Sequence, residues 1–182
     1  MNFDRLPAYK TSIVELRPIH ESDLLSWSDY LNRPEVYEHT SWNFPSVREL
    51  SSYLNNEACQ NPDSVLRLAI GDPTSGDLLG TIGFHSVNPH NRVAELAFDL
   101  SPPHWGRGLI ASVAPVLIDW AHSEAGIIRI QATVMDSNTR STAAIKGLGF
   151  ECEGLLRSFR IARGVPRDFH MFSHVQLPMS AT

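Results

Sequence analysis

A glycine-rich turn, Trp105-Gly106-Arg107-Gly108, stands between a segment typical of a strand and a segment typical of a helix. Residues 92–100 mix acidic and apolar side chains as a half-buried strand does. From Leu109 to His122, apolar residues recur at helical spacing. Glycines at such a junction let backbone N–H groups turn toward a ligand, and the helix N-terminus adds partial positive charge. The pattern therefore predicts a strand–turn–helix unit with an anion site, most often for phosphate.

Taken alone, this turn is equally compatible with glycines that serve only to turn and cap the chain. It does not match a Walker loop, because no Gly-Lys-Ser/Thr follows it. It does not match the dinucleotide-binding fingerprint either, since Ala111 stands where the third glycine belongs. Support for a phosphorylated ligand must come from elsewhere in the chain.

Hydrophobic periodicity predicts a mixed α/β (α+β) chain. Strand-like segments are followed by turn residues at 13–17, 65–70, 78–87, 92–100, 128–135, 150–162 and 167–177. Helical patterns cover 21–31, 109–122 and 138–148, and a capping box at Ser46 and Glu49 begins another helix toward Cys59. Strands and helices alternate only in the middle of the chain. This order predicts one mixed sheet with helices on both faces.

Composition limits the classes of function. A chain of 182 residues, 42% of them hydrophobic, can form one domain (1–182, core about 12–178). A net charge of −5 argues against a nucleic-acid binder. The N-terminus lacks a signal peptide, and the apolar helix near 110–121 is too short to span a membrane, so we expect a cytoplasmic protein.

Cysteines and histidines do not suggest metal chemistry. Cys59 and Cys152 form no redox or metal motif. His39, His90 and His170 lack the spacing of metal ligands. We therefore expect no metal.

Several further motifs follow the glycine-rich turn in a fixed order. They are Asn138 with Ser141, Lys146 before Gly149-Phe150, Glu153-Gly154, and Gly164 with Asp168. In this order the chain resembles the GNAT superfamily of acetyl-coenzyme A-dependent N-acetyltransferases. Within it, the chain is most similar to the Rim-type enzymes that acetylate ribosomal-protein N-termini. The resemblance extends from about residue 12 to residue 178.

The chain departs from the family pattern around the turn. Ile110 replaces a small residue, Ser112 replaces a glutamate, and His104 stands where tyrosine is common. Pro115 lies inside the following helix, where it removes a backbone hydrogen bond and should bend the axis. These departures concern the geometry of the turn rather than the class of cofactor.

The resemblance implies a GNAT-like fold, with a largely antiparallel sheet of six to seven strands that splays between the fourth and fifth. It implies acetyl-CoA as the cofactor, with its pyrophosphate on the backbone of the turn and its pantetheine along residues 97–100. The cofactor-binding residues that it implies are Phe98, Leu100, Trp105, Gly106, Arg107, Gly108, Leu109, Ile110, Ala111, Asn138 and Ser141.

The resemblance also implies catalytic roles. Ser141 would lie near the thioester sulfur and protonate the leaving thiolate, although a serine on a helix surface is the structural alternative. Glu95 is the first candidate for the base, and a solvent-facing carboxylate on an amphipathic strand is its alternative. Asp99 and His85 are second candidates for the base. The residues expected to contact the acceptor are Trp42, Phe44, His85 and Asp99.

The predicted reaction is direct transfer of an acetyl group to a primary amine, and the first candidate for this amine is the α-amine of a protein N-terminus. A small amine, such as a polyamine, an amino sugar or an antibiotic, is the alternative acceptor. A non-catalytic domain that senses acyl-CoA is the alternative outside enzymes. The resemblance suggests a homodimer and gives no reason to expect binding to a membrane or to nucleic acid.

Overall fold

The computed structural model describes residues 6–41, 45–54 and 66–176, and these form an eight-stranded sheet flanked by helices. The strands are β1 (Tyr9–Lys10), β2 (Glu15–Pro18), β3 (Leu66–Gly71), β4 (Leu78–Asn88), β5 (Val93–Leu100), β6 (Arg129–Met135), β7 (Glu151–Ala162) and β8 (Val165–Val175). The helices are α1 (Leu24–Leu31), α2 (Pro34–Tyr37), α3 (Val47–Leu50), α4 (Leu109–Ser123) and α5 (Thr139–Gly147).

The strand order is β1-β2-β3-β4-β5-β6-β8-β7, and every neighbouring pair is antiparallel except β5 and β6. The predicted class, a mixed and largely antiparallel sheet, is confirmed. The predicted number of six to seven strands is short by one, because the two-residue strand β1 carries too little periodicity to be recognised. The helix α2 was also missed: the first helical pattern stops before Pro34, and Pro34 itself begins a new helix.

Helices cover both faces of the sheet, as the sequence predicted. On β3, Leu68 and Ile70 belong to the core cluster that contains α4, whereas Ala69 belongs to the cluster that contains α1 and α3. This alternation is the period of two expected for a strand buried on both faces. Pro115 lies inside α4 without ending it, because it occupies the exposed side of the helix, where the carbonyl it leaves unbonded can meet water.

The parallel strands β5 and β6 separate after a short contact. They pair over three positions, from Val93 opposite Arg129 to Glu95 opposite Gln131. Beyond this point β5 stays paired with β4 as far as Leu100, while β6 stays paired with β8 as far as Met135. The predicted splay between the fourth and fifth strand segments is therefore confirmed, and it opens a gap within the sheet.

A buried polar cluster anchors the separated half of β5. Asp99 accepts hydrogen bonds from Tyr30 of α1, from Arg67 of β3 and, at 2.8 Å, from Thr81 of β4. Arg67 also donates to the Thr81 hydroxyl at 2.8 Å and to the carbonyl of Ala97 at 3.0 Å. Burial raises the pKa of Tyr30, and the neighbouring Asp99 carboxylate raises it further, so the phenol remains a donor. Four elements are thus tied together at one point.

Among the described residues, no helix is both long and apolar enough to cross a membrane.

We predict that Asp99→Ala destabilises the fold strongly, because it leaves the buried Arg67 guanidinium without its counter-charge. The expected loss in the free energy of unfolding is about 3–5 kcal/mol, measured by denaturant unfolding. The control is Asp29→Ala, which breaks the exposed ion pair between Asp29 and Arg33 and should cost less than about 1 kcal/mol. Equal losses for the two variants would contradict this role for Asp99.

Candidate active site

Two cavities lie along the gap between β5 and β6. The larger cavity, of about 740 Å³, extends toward the β7–β8 hairpin, and the smaller cavity, of about 320 Å³, extends toward the glycine-rich turn. Both are lined by His39, Thr40, Phe98, Asn138 and Ser141. The cavities therefore meet at the N-terminus of α5.

The smaller cavity collects the predicted cofactor-binding residues. All of those residues line it except Arg107, whose side chain is exposed to solvent outside the cavity wall. Residues 101–108 reach α4 through a short 3₁₀ turn, and Gly108 is the N-cap of α4. The backbone, rather than the Arg107 side chain, thus faces the cavity.

The glycine-rich turn has the geometry of an anion cradle. Gly106 and Gly108 have φ angles of +72° and +73°, which side chains with a Cβ rarely adopt. A Cβ built on either glycine would meet no atom within 4 Å, so open space lies over the turn. The first N–H groups of a helix have no intrahelical partner, and the first turn of α4 has no acidic side chain to receive them. The residues present therefore fit a phosphate-bearing cofactor.

The two substitutions nearest the turn do not obstruct it. Ile110 is buried and packs in the core cluster, although it also borders the smaller cavity. The Ser112 hydroxyl donates to the carbonyl of Leu109 at 2.8 Å, within the helix. Both departures from the family pattern are thus absorbed by α4 itself.

Sequence reasoning missed Arg140, which lines the smaller cavity. Its guanidinium carbon lies 3.8 Å from the centroid of the Trp105 ring, a close cation–π contact. The indole N–H of Trp105 donates to the carbonyl of Leu100 at 2.8 Å, which fixes the ring. This contact holds a cation beside the cradle. The sequence offered one indication that Arg140 lines this cavity, because Arg140 lies two residues after the motif residue Asn138.

Asn138 caps α5 and links it to the chain segment that follows α2. Its side-chain oxygen accepts from the backbone N–H of Ser141 at 3.0 Å, and its amide nitrogen donates to the carbonyl of His39 at 3.0 Å. Asn138 is therefore the N-cap residue of α5. The predicted contact of Asn138 with the cofactor stays a prediction, and Ser141 lies beside it at the junction of the cavities.

Glu95 lines the larger cavity, and two other side chains donate hydrogen bonds to its carboxylate. Its Oε1 atom accepts from the Thr133 hydroxyl at 2.7 Å and from the Arg160 guanidinium at 2.8 Å. The carboxylate is therefore held in place by β6 and β7 while it faces the cavity. Neither partner could be recognised from the sequence, because they lie 38 and 65 positions further along the chain.

His85 faces the same cavity from a β-bulge in β4. Phe84 is paired with Leu96 and Ser86 with Glu95, which leaves His85 without a partner on β5. The walls around the imidazole desolvate its charged form and lower its pKa; nearby Arg160 and Arg67 lower it further, whereas Glu95 opposes them. These effects together favour the neutral form of the His85 imidazole.

The remaining expected acceptor contacts have separate outcomes. Both oxygens of the Asp99 carboxylate are bonded within the buried cluster, although the residue borders the smaller cavity. Its contact with an acceptor stays a prediction. Trp42 and Phe44 lie outside the described residues.

Two of the later motif residues serve the β7–β8 hairpin. Glu153 forms a bidentate ion pair with Arg129, with N–O distances of 2.6 and 2.7 Å. This ion pair and a hydrogen bond from the Ser173 hydroxyl lower the pKa of Glu153 to about 2. Asp168 accepts from the backbone N–H of Ser158 at 2.7 Å, across an irregular stretch of β7.

In the described ranges, no three His, Cys, Asp or Glu residues are grouped as a metal site would require.

Comparison with known proteins gives a consistent result. A family model described as an acetyltransferase (GNAT) domain matches residues 14–151. The chain is 30% identical over 161 residues to the uncharacterized N-acetyltransferase p20 of Bacillus licheniformis. The matched region covers 85% of this chain and 87% of that protein. It is 24% identical over 176 residues to the ribosomal protein uS5-alanine N-acetyltransferase of Escherichia coli K12, covering 92% and 90% of the two chains.

A solved structure shares the fold. The ribosomal-protein-S5-alanine acetyltransferase of Vibrio fischeri superposes with a TM-score of 0.80 at 18% identity, covering 92% of this chain and 96% of the other. At that identity the likeness concerns the fold alone.

We predict that Gly108→Ala lowers the free energy of unfolding by about 1 kcal/mol, because the left-handed backbone at this position disfavours a Cβ. The matched control is Gly147→Ala in α5, where a Cβ also meets open space but the backbone is an ordinary helix. This control should be neutral or stabilising by up to about 1 kcal/mol. Thermal or denaturant unfolding measures both, and a neutral result for Gly108→Ala would contradict the strained geometry of the turn.

Proposed function

Because this chain belongs to the GNAT family of acetyl-CoA-dependent N-acetyltransferases, we propose that it acetylates the α-amine of a protein N-terminus. The observation that carries this proposal is the meeting of two cavities at Ser141, one at the glycine-rich turn and one among Glu95, His85 and Arg160. The first would hold the acetyl donor and the second the acceptor. Such an arrangement brings two reactants together without a covalent intermediate on the enzyme.

The smaller cavity offers matching groups for the donor. The backbone N–H groups of residues 107–111 would hold the pyrophosphate, with Arg140 as an additional cation. The backbone of residues 97–100 is paired with β4 on one side and borders the gap on the other, so it would pair with the amide groups of the pantetheine arm. When bound, acetyl-CoA supplies a thioester whose carbonyl carbon an amine can attack.

Ser141 would act on the leaving group. Its backbone N–H is held by Asn138, which orients the residue at the junction of the cavities. A thiol of this kind has a pKa of about 8.5, so its thiolate leaves readily and a hydroxyl donor is sufficient help.

Glu95 would receive the proton of the acceptor, directly or through water. Its position is fixed by Thr133 and Arg160, and it faces the cavity where the amine must enter. Neutralising an α-amine with a pKa of about 8 costs roughly 1–1.4 kcal/mol at pH 7, against roughly 4–5 kcal/mol for a lysine-like amine. A modest base therefore serves an N-terminus. His85, which lines the same cavity, is the alternative base.

The charge of the larger cavity favours an N-terminus over a polyamine. The charge of Glu95 is already balanced by Arg160 within the cavity lining. A polyamine carries several positive charges and would require more free carboxylates, whereas an N-terminus carries one. The ribosomal-protein relatives support the same acceptor class, and such acceptors are made in the cytoplasm.

We predict that release of the coenzyme A thiol from acetyl-CoA accelerates with N-terminal peptides and not with polyamines, amino sugars or aminoglycosides. The measurement is thiol release across this panel, with peptides blocked at the α-amine as the control. Turnover with a polyamine alone would replace the proposed acceptor with a small amine. Tight donor binding without turnover on any acceptor would favour the sensor alternative.

We predict that Glu95→Gln lowers kcat at pH 7 by about 100-fold, the contribution of a positioned base. Its rate should then rise about tenfold between pH 7 and pH 9, because the fraction of neutral α-amine rises by about that factor. His85→Gln is the matched comparison on the same cavity and should retain most of the rate. A loss confined to His85→Gln, together with disappearance of an ionisation below pH 6.5, would make His85 the base instead.

A further inference from the structure

Four arginines are concentrated on the β7–β8 hairpin, beside the larger cavity. From residue 154 to residue 167 the sequence contains no Asp or Glu, in a chain whose net charge is −5. The arginines are Arg157, Arg160, Arg163 and Arg167. From their placement we infer that Arg167 recognises an acidic side chain that follows closely behind the acceptor amine. This inference rests on the proposed function, because it assigns a sequence preference to the peptide acceptor.

Arg160 and Arg167 are direct cross-strand partners in the hairpin. Their side chains therefore share one face of the sheet, with Cβ atoms about 5 Å apart. Like charges opposite each other disfavour the strand pairing. Arg160 has a counter-charge, since it pairs with Glu95 at 2.8 Å. In the described part of the chain, no carboxylate lies at ion-pair distance from Arg167, which leaves one positive charge on this face without compensation.

The alternation of side chains along β8 also places Arg167 at the edge of the larger cavity. Phe169, two residues after Arg167 on β8, is buried and lines the larger cavity. Residues two apart on a strand point to the same face and lie about 7 Å apart. Arg167 thus extends from the cavity wall toward solvent. The intervening Asp168 points to the opposite face, where it accepts from the Ser158 backbone N–H.

Arg163 adds a further positive charge at the same end of the hairpin. It donates to the carbonyls of Thr40 at 3.1 Å and Glu38 at 3.4 Å, and it lies over the Tyr37 ring at 5.3 Å from the centroid. These contacts tie the hairpin to the segment after α2, on the wall of the cavity that contains Thr40. An acceptor chain that leaves the cavity on this side passes a cationic rim.

The position of the acidic residue follows from the reach of an extended peptide. With its amine at Glu95, the acceptor advances about 3.3 Å per residue. Arg167 lies one cross-strand step beyond Arg160, the residue bonded to Glu95. An acidic side chain at the second to fourth position of the acceptor would therefore meet Arg167. A lysine there would be repelled by the same charge.

The test uses acceptor peptides that share one N-terminal residue and carry Glu, Gln or Lys at the second, third or fourth position. Thiol release gives kcat/KM for each peptide at low and high salt. We expect the best Glu peptide to exceed its Gln counterpart by about fivefold, as an exposed ion pair allows, with the difference shrinking as salt is raised. Arg167→Gln should bring this ratio near one, Arg167→Glu should reverse it, and Arg167→Lys should preserve it.

Arg48→Glu is the matched control, because Arg48 is exposed on α3 and lines neither cavity. It changes the net charge as Arg167→Glu does and should leave the peptide preference intact. A Glu-to-Gln ratio near one in the unaltered enzyme, or one unchanged by Arg167→Gln, would overturn the inference while leaving the proposed function in place. Failure of every peptide, with turnover of a small amine, would overturn the proposed function and the inference with it.

Discussion

The buried ion pair between Arg67 and Asp99 is the interaction on which the arrangement of this protein depends. Asp99 stands in the part of β5 that has left β6, and Arg67 reaches it from β3 across Thr81 of the intervening strand. A charge buried without its partner is costly, so each group requires the other to stay in place. Tyr30 adds α1 to the same cluster. The separated end of β5 is therefore fixed, and with it the gap along which both cavities lie.

The parallel pairing of β5 and β6 explains why functional groups converge on this gap. Parallel neighbours need a crossover connection, which α4 provides. Its N-terminus consequently lies at the carboxyl end of β5, and α5 begins at the carboxyl end of β6. The N-termini of both helices therefore face one opening. The glycine-rich turn serves the first, and Asn138 caps the second. The two cavities meet between them.

Features that depend on residues close together along the chain were predictable from the sequence. The spacing of apolar residues indicated α4, and the two glycines indicated a turn at its start; the structure has both. The misses were also local in origin. The strand β1 has two residues, and α2 begins at a proline that ordinarily ends a pattern. Such elements are too short for periodicity to reveal.

The sequence by itself determined the family, the cofactor class and the place of the glycine-rich turn at the start of α4, because a turn and a helix start depend on a few consecutive side chains and their backbone angles. Only the tertiary structure decided that Glu95 is held by Thr133 and Arg160 and that Asp99 is bonded within the fold. It also decided that, among the described residues, no carboxylate pairs with Arg167. These outcomes depend on strand order and register, which bring together residues far apart in the chain. Electrostatic roles follow from the neighbours and burial of a charge, and folding sets both.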